Sequence, residues 1–135
     1  SLTMGGKTDD RHGAPLTTEV TVKSLHEGKF EETEIRHGGY TRFDMGPTAV
    51  VTTNTGLTIS LTTLRTVPVS LGVISSVELD PRDFQLIVAK GVHAPVAAYE
   101  PVCARLIEVA SGGATAIDRS SDEYQLARKT LYEWR

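Results

Sequence analysis

Two different hydrophobic patterns divide this chain. Leu16, Thr18, Val20 and Val22 share one parity, while Thr17, Glu19, Thr21 and Lys23 share the other. Alternation with a period of two predicts a strand with one wet face. Glu27-Gly28-Lys29 punctuates it, and Phe30 to Arg36 gives a weaker strand signal. Ala49 to Thr53, the turn Asn54-Thr55-Gly56, and Leu57, Ile59 and Leu61 alternating with Thr58, Ser60 and Thr62 predict a hairpin. Of 17 threonines, 15 fall at or before Thr66, placing the β-branched hydroxyls on the expected solvent faces of these strands.

Beyond Thr66 the pattern changes. Ser70 is placed to cap a short helix with Val73, Ile74 and Val77 as its apolar stripe, ending before Asp80-Pro81-Arg82-Asp83. Phe84-Gln85-Leu86-Ile87-Val88-Ala89 is nearly continuous apolar, the pattern of a central strand covered on both faces. A helix is expected from about Pro95 to Arg105, complicated by Pro101, and Leu106-Ile107-Glu108-Val109 reads as a returning strand. Strand, helix and strand in so short a span suggest a parallel crossover unit. The expected fold class is α+β, with a mixed sheet, antiparallel hairpins in the first half and the crossover in the second. Residues 111–135 give no clear element.

With 135 residues the chain fits one domain, large enough for a genuine core. A formal charge of −3 argues against nucleic acid and anionic membranes as partners, and no apolar run is long enough to span a bilayer. The lone Cys103 forms no internal disulfide, which suits a reducing, cytoplasmic setting; among Val102, Ala104 and Leu106 it reads as a small apolar residue. The opening Ser1-Leu2-Thr3-Met4 reads as strand, no signal-peptide pattern follows, and the expectation is a piece of a longer protein.

Candidate chemistry gathers in three loops. Gly5 to Pro15 packs Lys7, Asp9, Asp10, Arg11 and His12 between glycines. It lacks the first glycine and the helix of a P-loop, so it is either a solvated turn or a ligand loop. His37-Gly38-Gly39 leads through Tyr40, Phe43 and Asp44 to Met45-Gly46-Pro47, a long connection of the kind that carries sites. Lys90 and His93 stand at the carboxyl end of the expected central strand, where open α/β sheets bind ligands. The histidines, at 12, 26, 37 and 93, show no metal-binding spacing, and no Gly-x-Ser-x-Gly presents a nucleophile.

Gly5-Gly6-Lys7-Thr8-Asp9-Asp10-Arg11-His12-Gly13-Ala14-Pro15, then His37-Gly38-Gly39 with Asp44-Met45-Gly46-Pro47-Thr48-Ala49-Val50, then Asp80-Pro81-Arg82-Asp83-Phe84 leading to Val88-Ala89-Lys90-Gly91, occur in an order and spacing that resemble one family. The chain is similar to the carboxyl-terminal domain of the MlrC-like (microcystinase C) zinc metallopeptidases. That resemblance implies a hydrolase parent acting on a peptide or small amide, whose zinc ligands lie in an amino-terminal domain outside this chain. It implies an accessory domain, inactive alone, with Asp9, Arg11 or His12 orienting substrate from the cleft wall. The alternative is a non-catalytic interaction or oligomerisation module, with homo-oligomers among its partners. An interface should show exposed apolar surface, and a cleft wall a concave polar one.

Overall fold

The structure, a computed structural model, describes residues 1–6, 13–91 and 93–109. Seven strands form among them, in three antiparallel sheets. β1 (Leu2–Met4) pairs with β2 (Leu16–Thr18), and β4 (Lys29–Glu31) pairs with β5 (Arg42–Asp44). The largest sheet runs β3 (Val20–His26), β6 (Thr48–Thr53), β7 (Thr58–Thr62), with β6 in the middle. The single strand expected over residues 16–23 is therefore divided at Glu19 between two sheets.

The predicted hairpin forms as β6 and β7, with Val51 opposite Ile59 and Ala49 opposite Leu61. Its turn closes through Gly56 N–H to Thr53 O (3.0 Å), and Thr53 Oγ1 accepts from Leu57 N–H at 3.1 Å. Directly opposed residues share a face. One face thus collects Val22, Leu25, Ala49, Val51, Ile59 and Leu61; the other collects Ser24, His26, Thr48, Thr52, Ser60 and Thr62 around Val50.

The expectation that threonines mark the wet face holds at Thr17, Thr21 and Thr62, which are exposed, and fails at Thr48 and Thr53. The core of Met45, Val50 and Val77, with Phe30, Val73 and Leu79 against it, forms at Val50, on the hydroxyl side. Thr48 and Thr53 are only 2% and 8% exposed. Thr48 tolerates burial because its hydroxyl donates to Gly46 O at 2.8 Å, satisfying the group locally. On the apolar face, edge-strand Leu25 remains 76% exposed.

Phe30 of β4 and Phe43 of β5 stack with centroids 4.7 Å apart, carrying the small ribbon onto this core. α1 (Gly72–Ser75) is a single turn, shorter than expected, that brings Val73 and then Val77 to the core. Ser70 caps it as predicted, its Oγ accepting from Gly72 N–H at 2.9 Å. Asp80 likewise accepts from Arg82 N–H at 2.9 Å and opens the Pro81–Asp83 3-10 turn.

The expected crossover does not form. Among the described residues no strand follows Thr62; residues 84–89 and 106–109 are irregular, with Leu86 73% and Val88 86% exposed. A strand of continuous apolar residues requires bonded edges and two covered faces, and neither is available here. The helix is also shorter than residues 95–105: α2 (Val96–Tyr99) gives way to a 3-10 turn over Glu100–Val102 at Pro101. Pro101 has no N–H to continue the α ladder. Within α2, Ala98 and Tyr99 are buried, and burial with Cys103 alongside pushes the Tyr99 hydroxyl up to about 12.

A Cβ at Gly72 would overlap the ring of Phe30, which its stack on Phe43 holds in place. Gly72→Ala is expected to destabilise the domain by about 1–3 kcal/mol, the usual cost of overpacking, in a urea titration; an unchanged midpoint would show that the ring yields freely.

Candidate functional site

The densest polar centre in the described residues is one that periodicity does not announce. Glu32, just beyond β4, accepts from the Ser70 hydroxyl and also, at 2.9 Å, from Glu34 N–H. Arg36, four residues further on, places Nε 3.5 Å from Glu32 Oε2 and donates from Nη1 to Ala97 O at 2.9 Å. Ser70 is fully buried. Burial raises the Glu32 pKa, but the Ser70 hydroxyl, the Glu34 N–H and Arg36 together outweigh it, leaving the carboxyl below its ordinary value. The cluster joins β4, the cap of α1 and the backbone of α2. It holds no histidine or thiol beside the serine, so its chemistry is positional. Glu32 and Arg36 at i and i+4, with a capping serine downstream, were the only sequence signals for it.

Immediately after Arg36 comes the 3-10 turn His37–Gly39, where Gly38 takes φ 83° and Gly39 N–H bonds back to Arg36 O at 3.1 Å. His37 is exposed on this turn. Asp44 is occupied by its own turn, where Oδ1 accepts from Gly46 N–H at 2.8 Å and Oδ2 lies 4.0 Å from Lys29 Nζ. Lys90 is exposed, and His93 Nδ1 lies 3.6 Å from Glu108 Oε1. No ion pair or hydrogen bond joins any two of His37, Asp44, Lys90 and His93. Lys7, Asp9, Asp10, Arg11 and His12 lie outside the described residues, as does the 111–135 tail.

Among the described residues no three His, Cys, Asp or Glu side chains are grouped to hold a metal ion. His26 is instead within 2.8 Å of Ser24 Oγ. Two depressions open broadly to solvent, one against Glu19, Lys23, Thr52 and Asn54, the other across the ribbon at Lys29, Glu31, Arg42 and Asp44. The charges in the second are already paired, Arg42 Nε standing 3.5 Å from Glu31 Oε1.

Comparison with protein families finds one match, described as the MlrC C-terminus, over residues 1–125. The chain belongs to that family. Neither a curated protein nor a solved structure matches it. The match embraces every described strand and both described helices of the MlrC C-terminal domain, and also residues Lys7 to His12. No described helix of the domain is long and apolar enough to cross a membrane.

The Glu32 carboxylate gives a pH dependence with a definite sign. The folded pKa lies below the ordinary 4.5, so the stabilisation is complete above that value and is lost as pH falls through the folded pKa. Glu32→Gln should cost about 1–3 kcal/mol at pH 7 by leaving buried partners unsatisfied. It should also flatten the fall in urea midpoint on going from neutral pH to well below 4.5; parallel profiles for the two proteins would refute the tie.

Proposed function

We propose that this domain is the accessory half of an MlrC-like zinc-dependent hydrolase and docks through apolar surface on the amino-terminal domain that holds the metal. The family match supports the parentage. The observation that carries the docking is exposed apolar surface. Fourteen large apolar side chains stand exposed among the described residues, including Leu25, Leu86 and Val88, whereas seven apolar residues are buried. Leu86, Val88, Leu106, Ile107 and Val109, which come from one part of the chain, support a docking surface there.

The described residues do not fit zinc, because their histidines are dispersed or engaged with Ser24 and Glu108. No step through the metal is therefore assigned to this chain. Its contribution is binding and orientation. Arg11, with a planar fork of donors, suits a substrate carboxylate, and Asp9 and His12 beside it in sequence suit a peptide's polar groups. The substrate class that goes with this parentage is a peptide or small amide, and the lone Cys103 accords with a reducing, cytoplasmic compartment.

The exposed apolar side chains also favour a second reading, a module for self-association, because they serve a second copy as readily as another domain. A monomeric full-length protein in sedimentation would dispose of it.

Arg11→Ala and His12→Ala in the full-length enzyme are expected to lower kcat/KM about 10- to 100-fold, since a hydrogen bond to a charged group is worth roughly 1.5–3 kcal/mol. Unchanged kinetics for both variants would make the loop structural.

A further inference from the structure

Residues 84–89 and 106–109 combine three properties that do not belong together in a finished fold. The first is nearly continuous apolar and the second is broken only by Glu108, both are rich in Ile, Val and Leu, and both are exposed: Leu86, Val88, Leu106, Ile107 and Val109 all face solvent. Their backbones are equally unengaged. Among the described residues, neither 85–91 nor 104–109 donates or accepts a single backbone hydrogen bond. Local sequence preference and observed state conflict here, whereas the hairpins of the first half satisfy both.

The element between the two runs is settled. Ala98 and Tyr99 of α2 are buried, and Arg36 holds Ala97 O from the Glu32 cluster. At one end, His93 and Glu108 approach to 3.6 Å, bringing the close of the first run beside the second. The short helix α2 is thus anchored on this domain, while the apolar runs on either side of it carry no strand among the described residues. Two short parallel strands form no stable sheet by themselves, because parallel pairing is the weaker kind and needs both faces covered. Among the described residues the free edges do not take them, since β3 pairs only with β6, as does β7.

We infer that residues 84–89 and 106–109 are strands completed in trans, adding to a strand edge of the amino-terminal part of the parent protein. The inference rests on the docking described under Proposed function and names its mechanism. The amino-terminal part is the occupant because the family match identifies this chain as the carboxyl-terminal domain of a longer protein, so a tethered partner is supplied at high effective concentration. Strand addition gives main-chain hydrogen bonds for affinity and buries alternate apolar side chains for specificity. Lys90 and His93 then close the end of a completed sheet, which is the position where such sheets receive ligands.

Hydrogen exchange followed by mass spectrometry tests this without any activity measurement. In the 135-residue chain, amides of 84–91 and 104–109 should exchange freely; in the full-length protein they should slow by at least about 100-fold, as for strands opening only by larger unfolding. Val88→Pro in the full-length protein removes one ladder donor and should abolish that protection, while β6 and β7 amides remain slow. Fast exchange in the full-length protein overturns the inference. So does slow exchange in the 135-residue chain, whether independent of concentration, as for pairing within the chain, or rising with it, as for a second copy. A protected full-length protein that lacks zinc and hydrolyses nothing would refute the metallohydrolase reading and leave strand completion standing.

Discussion

One carboxylate ties together segments that are far apart in sequence. Glu32 accepts from Ser70 and pairs with Arg36, and Arg36 in turn reaches Ala97 O. A charge withdrawn from water is costly unless compensated, and the partners that compensate this one come from different parts of the chain. Ser70 simultaneously caps α1, so the position of Val73 and Val77 in the core depends on the same node. Through Arg36, the node also fixes where the His37 turn departs and where α2 rests. Hydrophobic contact supplies the adhesion, and this small polar centre supplies the geometry.

The sheet about Val50 shows how a modest core is built without a continuous apolar layer. Hydroxyl side chains line the core side, and Thr48 satisfies its own on the nearby Gly46 carbonyl. On the opposite face Val51 is buried as well, and only the edge-strand residues Val22 and Leu25 stand exposed. In the second half α2 is anchored through Ala97 O, and the runs on either side of it are irregular.

The candidate chemistry divides in a similar way. Asp44 and His93, conspicuous as charged residues in loops, serve a turn and an ion pair. Spacing could not reveal this, because an Asp two residues before a Gly that needs an acceptor has the same sequence appearance as an Asp awaiting substrate. Glu32, conversely, lies in an ordinary polar stretch, and its importance comes from Ser70, 38 residues away.

Period-two alternation determined the β6–β7 hairpin by itself, because a turn of Asn, Thr and Gly leaves few ways to pair two adjacent runs. The cap at Ser70 and the break at Pro101 were equally local, since each follows from one residue's donors and acceptors. Three matters belonged to tertiary structure alone. Which face of the main sheet meets the core depends on what Met45 and Val77 bring to it. The division at Glu19 depends on which neighbours β2 and β3 find. Whether residues 84–89 become a strand depends on a bonded edge and two covered faces, and a strand, unlike a helix, cannot provide its own hydrogen-bond partners.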